Sequence, residues 1–168
     1  SLQMKRISLV IIISVMTALT LCGQTLTPKQ DGRLWGFVDN NDAFVIKPKY
    51  TAVGEFICDY TWVNIGGKLK MEHLPDGGKW GVIDKQGNEV CPVDYDYVDL
   101  LNGTVVAVNK GGMVKSAHVN GGKWGYYDVA QKKEIVLPLY DQASVFTSNG
   151  VGWVQKDSHL SRRVLGDE

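Results

Sequence analysis

The chain has 168 residues, with 18 basic and 18 acidic side chains and 19 glycines. Balanced charge excludes the basic footprint that nucleic acid or anionic lipid requires. Abundant glycine, without long Ala, Glu or Leu runs at helical spacing, excludes a helical bundle and suits short strands joined by tight turns.

Ser1–Gln3 precede Met4 and are set aside as lying before the natural start. Lys5 and Arg6 then lead into Ile7–Leu21, an apolar stretch broken only by Ser8, Ser14, Thr17 and Thr20. This is the pattern of a secretory signal and is short for a membrane span. With residues 1–23 assigned to it, cleavage is expected between Gly23 and Gln24. Losing Lys5 and Arg6 leaves 16 basic against 18 acidic residues, a net charge of −2. Cys22 offers a second reading, a lipid anchor, which Leu21 disfavours because a lipoprotein box wants a small residue there. The expected location is the periplasm, the outer envelope or outside the cell, with no transmembrane segment in the mature chain.

Residues 24–30 read as a linker, and a repeat follows. Trp35-Gly36, Trp80-Gly81 and Trp124-Gly125 are spaced 45 and 44 residues apart. Asp39, Asp84 and Asp128 each lie four residues after the tryptophan. Tyr50 and Tyr95 lie fifteen after it and Tyr140 sixteen, each preceded by a proline: Pro48, Pro92 and Pro138. The copies span 31–76, 77–120 and 121–160, with a polar tail over 161–168 expected to fray. Gly78-Lys79-Trp80-Gly81-Val82-Ile83-Asp84-Lys85-Gln86-Gly87 closely resembles the WG-repeat (KWG) family of bacterial proteins. The resemblance extends over about residues 31 to 157. It implies a β-rich repeat protein of a family without an established common activity, and so leaves function open.

Within a copy, Gly81–Ile83 and Asn88–Cys91 should form a hairpin, with Asp84 opening the turn and Gly87 left-handed. In the first copy, Asn40-Asn41-Asp42 replace that glycine with residues that tolerate positive φ. Pro92 should lie at an edge or a strand end. Asn102-Gly103 predicts a two-residue hairpin between Tyr95–Leu101 and Thr104–Asn109. Between copies, Gly66-Gly67 to Gly77-Gly78 and Gly111-Gly112 to Gly121-Gly122 each read as one further strand between two turns. Lys70 matches Lys115 there, and His73 matches His118. Copies this small must stack to bury an apolar face, and three are too few to close a propeller. The expected fold is all-β: short antiparallel hairpins stacked as an open, curved, solenoid-like array.

Trp35, Trp80 and Trp124, with Gly36, Gly81 and Gly125, recur in every copy and read as structural, as do Asp39, Asp84, Asp128, Tyr50, Tyr95 and Tyr140. Trp62 and Trp153 differ from these, because the second copy has Ala107 at their place. A position alternating between tryptophan and alanine suits a groove or a variable packing edge. Trp62 with Asn64, and Trp153 with Gln155, are therefore the candidate binding residues. His73, His118 and His159 recur too sparsely for a metal site. Cys58 and Cys91 either pair or sit separately as small buried residues, and Cys91 matches Ile46 of the first copy. No nucleophile with a base, paired carboxylates or phosphate loop stands out, so no enzyme activity, cofactor or metal is expected. The sequence favours an exported interaction module whose partner is an unidentified envelope protein. A carbohydrate or peptidoglycan binder using the two variable tryptophans is the alternative. The oligomeric state stays open.

Overall fold

Alternating apolar and polar residues, punctuated by aspartate, glycine and proline, give short strands. The computed structural model describes residues 23–70, 74–99, 103–144, 151–156 and 159–164. Ile7–Leu21, Cys22, His73 and Asn102 lie outside these ranges. The described residues form strands and turns without a helix, so no helix among them is long and apolar enough to cross a membrane.

Four antiparallel sheets follow one another along the chain. The first contains β1 (Thr27–Asp31), β2 (Leu34–Val38) and β3 (Phe44–Tyr50). The second contains β4 (Ala52–Val53), β5 (Tyr60–Ile65), β6 (Lys79–Asp84) and β7 (Glu89–Tyr95). The third contains β8 (Tyr97–Asp99), β9 (Val105–Lys115), β10 (His118–Asp128) and β11 (Lys133–Tyr140). The fourth contains β12 (Gln142–Ala143), β13 (Val151–Lys156) and β14 (His159–Val164). Each inner sheet joins the end of one copy to the beginning of the next. Residues expected as a linker supply β1, which sets Gln30 opposite Trp35 as Asn64 stands opposite Trp80 and Asn109 opposite Trp124. The expected frayed tail instead continues in β14 as far as Val164, pairing with β13.

The tryptophan register is the same in all three copies: Trp35 opposite Tyr50, Trp80 opposite Tyr95 and Trp124 opposite Tyr140. The next pairs are Phe37–Ile46, Val82–Cys91 and Tyr126–Val136. One residue, the glycine, therefore opposes three on the outer strand. The bulged triplets are Lys47-Pro48-Lys49, Pro92-Val93-Asp94 and Leu137-Pro138-Leu139. Their prolines sit where ladder pairing is already broken. A Cβ on Gly81 would lie 2.7 Å from the Cys91 carbonyl oxygen, and the matched glycines are tighter still against Ile46 and Val136.

The repeated aspartates hold the turns. Asp84 Oδ1 accepts from the backbone N–H of Gln86 (3.0 Å) and Asn88 (2.9 Å), and Asp39 does the same for Asn41 and Ala43. Asp128 accepts from Ala130 and Gln131. The left-handed residue is Asp42, Gly87 or Lys132. The extra residue of the third copy falls in the turn that Asp128 opens. The strands flanking the Asn102-Gly103 signal do pair, with Tyr97 opposite Asn109 and Asp99 opposite Ala107.

The segments between copies are hairpin arms, where single strands were expected. Gly112 pairs with Gly121, and β9 and β10 run on through them to a tip at Ser116-Ala117. The reason is a buried asparagine. Asn109 Nδ2 donates to the Gly121 carbonyl (3.2 Å) and its Oδ1 accepts from Gly112 N–H (3.0 Å). Asn64 repeats this with Gly77 and Gly67, both at 3.0 Å. The two arms touch: Gly77 N–H donates to the Val114 carbonyl, and Ser116 N–H to Asp76 Oδ1, both at 2.9 Å. Lys70 also holds Asp76, and these bonds keep its carboxyl below the usual range.

The sheets stack face to opposite face. Phe37, Ile46 and Tyr50 of the first pack on Val63 and Ile83 of the second. Trp80, Val82, Cys91 and Tyr95 on the second sheet's other face pack on Val98, Val106, Val108 and Tyr127 of the third. Ala107, Tyr126 and Val136 then meet Val154 of the fourth. The stack is open and no barrel closes. Cys91, opposite Val82, is a buried free thiol in this core. Cys58 is exposed and left-handed. The two do not pair, and Cys58 is not the buried residue expected, because it lies on a surface turn closed by Ile57 and Tyr60.

Two stability predictions follow from this packing. Gly125→Ala drives a Cβ into the Val136 carbonyl and should cost roughly 2–3 kcal/mol, read as a lowered urea midpoint. The Tyr50 hydroxyl is buried without a hydrogen-bond partner, so Tyr50→Phe should stabilise by about 1 kcal/mol. Burial, and then the Glu89 charge, push the Tyr50 pKa up to about 12. Its neutral form is favoured on folding, so its contribution is complete below the ordinary tyrosine range and fades as pH rises towards 12. Tyr50→Phe should flatten that alkaline limb of a pH–stability profile.

Candidate functional site

Trp62 projects from β5 opposite Val82, whereas Ala107 of the second copy stands opposite Tyr126. Large faces small in both pairs, with the sizes exchanged across the strands. This explains how one position accepts tryptophan and alanine without a cavity. The Trp62 indole is half-buried and lies 4.8 Å from the Trp80 ring at 38°. It covers Gly54, where any Cβ would strike the indole nitrogen.

A second exchange opens a cavity. Tyr97 stands opposite Asn109, and Ala52 holds the matched place opposite Asn64. Tyr97 bridges two repeat tryptophans, with its ring centre 5.1 Å from Trp80 and 5.9 Å from Trp124, edge-on to both. Ala52 has no ring to place against Trp35. What remains is a cleft of about 440 Å³ lined by Trp35, Ala52, Val53, Trp62, Leu69, Leu74 and Ala117. Among the described residues, no charged side chain and no side-chain oxygen lines it. Ala117, at the tip of the second arm, is placed over it by the Asp76 contacts.

The sequence candidates are distributed differently from expectation. Trp62 lies in the cleft. Asn64 is fully buried and spends its amide on the arm backbone, so it offers nothing to a ligand. Trp153 is 39% exposed and lies in the fourth sheet, away from Trp62 in the second. Gln155 is two residues along from it on the same face of β13. Trp35, read as purely structural, turns out to line the cleft. The sign of this in the sequence was Ala52 standing where Tyr97 stands.

The bulges differ as well. Lys47, Lys49 and Asp94 occupy the outer positions in the first two copies, with Pro92 the fourth. The third copy has Leu137 and Leu139, exposed by 60% and 54%. A groove of about 200 Å³ beside them is lined by Ile135, Val136, Leu137, Leu139 and Tyr140. Other groups offer less. Burial pushes the Cys91 thiol up, away from reactive thiolate, and nearby Glu134 and Glu89 add to this. The Tyr95 hydroxyl donates to Glu134 at 2.5 Å. His118 is exposed at the start of β10. Among the described residues no three His, Cys, Asp or Glu gather as metal ligands.

Three segments, residues 35–68, 80–113 and 124–158, match a family model described as a WG containing repeat. The chain belongs to the WG-repeat family. No curated protein and no solved structure matches it. Each WG segment begins on the repeat tryptophan. The WG repeat of the sequence is therefore offset from the sheet of the structure, which starts before that tryptophan.

The two variable tryptophans should respond differently to truncation. Trp62→Ala removes the stack on Trp80 and should cost roughly 2–3 kcal/mol, while Trp153→Ala should cost under about 1 kcal/mol. Denaturation midpoints test this, and iodide should quench Trp153 in preference to Trp80.

Proposed function

We propose that this WG-repeat protein is a non-catalytic interaction module of the cell envelope that captures a partner protein. The signal-like N-terminal sequence supports the location. The observation that carries the capture reading is the Leu137-Pro138-Leu139 bulge. Matched bulges are charged at most of their outer positions, and stability within the chain gives no reason for two leucines in water beside an apolar groove. A bulged edge also resists strand addition, so the contact is made by side chains. The partner presents an apolar side chain to the groove. Exposed Lys132 and Lys133 at the start of the same region favour acidic residues beside it.

The test is retention of envelope proteins on residues 24–168, comparing the wild type with a Leu137→Lys, Leu139→Lys variant. That variant carries the residues of the first copy, so it should fold with an unchanged melting temperature and lose at least tenfold of the retained partner. Equal retention by both proteins would sink the proposal. The glycan alternative keeps one supporting observation, the exposed Trp153 indole with Gln155 on the same face. Retained sugar that disappears with Trp153→Ala would favour it.

A further inference from the structure

We infer that the cleft between Trp35 and Trp62 binds an aromatic ring supplied from outside the chain. The molecule contains its own comparison. One junction later, the ring of Tyr97 sits between Trp80 and Trp124. At the first junction the indole is present and the strand register is the same, but Ala52 leaves the place of that ring open. Two indole walls and an aliphatic floor suit edge-on or offset aromatic packing. The cleft's 440 Å³ falls within the roughly 300–1,000 Å³ typical of small-ligand sites and exceeds the room one ring needs. Sugars are poorer occupants, because the side chains that line the cleft offer hydroxyls nothing polar beyond indole N–H groups, that of Trp35 being buried without a partner, and one such donor suits the single hydroxyl of a phenol. The inference is independent of the leucine bulge, which lies in the third sheet.

Two sources share this chemistry, a free phenolic compound and a tyrosine side chain of a peptide. Both are tested on residues 24–168, using 4-methylphenol and the pentapeptide Gly-Gly-Tyr-Gly-Gly and following the tryptophan indole N–H signals by NMR. The signals of Trp35 and Trp62 should move while that of Trp153 stays still. Ala52→Tyr rebuilds the second junction in the first and should weaken binding at least tenfold. Ala52→Leu, a smaller filling, should weaken it by less and provides the test if the tyrosine variant folds poorly. Peptide binding at least tenfold tighter than the phenol identifies a protein side chain as the source, and equal affinities identify the free compound. The inference is overturned if neither probe moves the two signals at millimolar concentration. It is also overturned if folded Ala52 variants bind undiminished, or if maltose moves the signals and the aromatic probes do not.

Discussion

The structure depends on one close approach, that of the outer strand's backbone to the glycine that follows each repeat tryptophan. With no side chain at Gly36, Gly81 or Gly125, three residues of the outer strand can arch over one. The arch brings a tyrosine back opposite the tryptophan and turns an apolar residue, Ile46, Cys91 or Val136, into the next interface. Each of the first three sheets thereby gains one aromatic end and one apolar middle. Opposite faces can then stack in series without a closing strand. The proline in each bulge follows from the same geometry, since the ladder is interrupted where its missing N–H would matter.

Much of this was legible in the sequence. Tryptophan with aspartate at a fixed offset, and proline and tyrosine following at nearly constant ones, pointed to the all-β class, the hairpins and the open array, because each is tied to a local backbone requirement. The aspartate turns could be read in advance for the same reason. What stayed hidden was non-local. The Gly-Gly pairs look like turn signals, and only the buried amides of Asn64 and Asn109 reveal that they pair with each other. Residues 27–30 lack the repeat's motif and still complete the first sheet, because an unpaired Trp35 strand needs a neighbour more than it needs a particular sequence. Cys58 and Cys91 are the same residue type, yet one lies on a surface turn and the other in a sheet core.

The candidate site was half legible. Trp62 drew attention as a large residue where Ala107 is small, but the explanation lay across the strand, in Val82 and Tyr126. The cleft itself came from a residue with almost no chemistry, Ala52. Exchanges of volume between copies carry the information here, and reading them requires the register. Repetition supplies the scaffold, and the departures from it (Ala52, Trp62, Leu137 and Leu139) are where the copies acquire separate surfaces.

The offset between sequence copy and sheet has a consequence for how such a chain can change in length. A cut from one repeat tryptophan to the next removes the second half of one sheet and the first half of the following one. The remaining halves belong to the same type of sheet and meet in the same register, with an asparagine strand beside a tryptophan strand. Whole units can therefore be gained or lost while the flanking β1 and β14 keep their places at the two ends. The backbone of the new junction pairs as before, and the adjustment falls on cross-strand side chains: a cut from Trp80 to Trp124 would set Trp62 against Tyr126 in place of Val82.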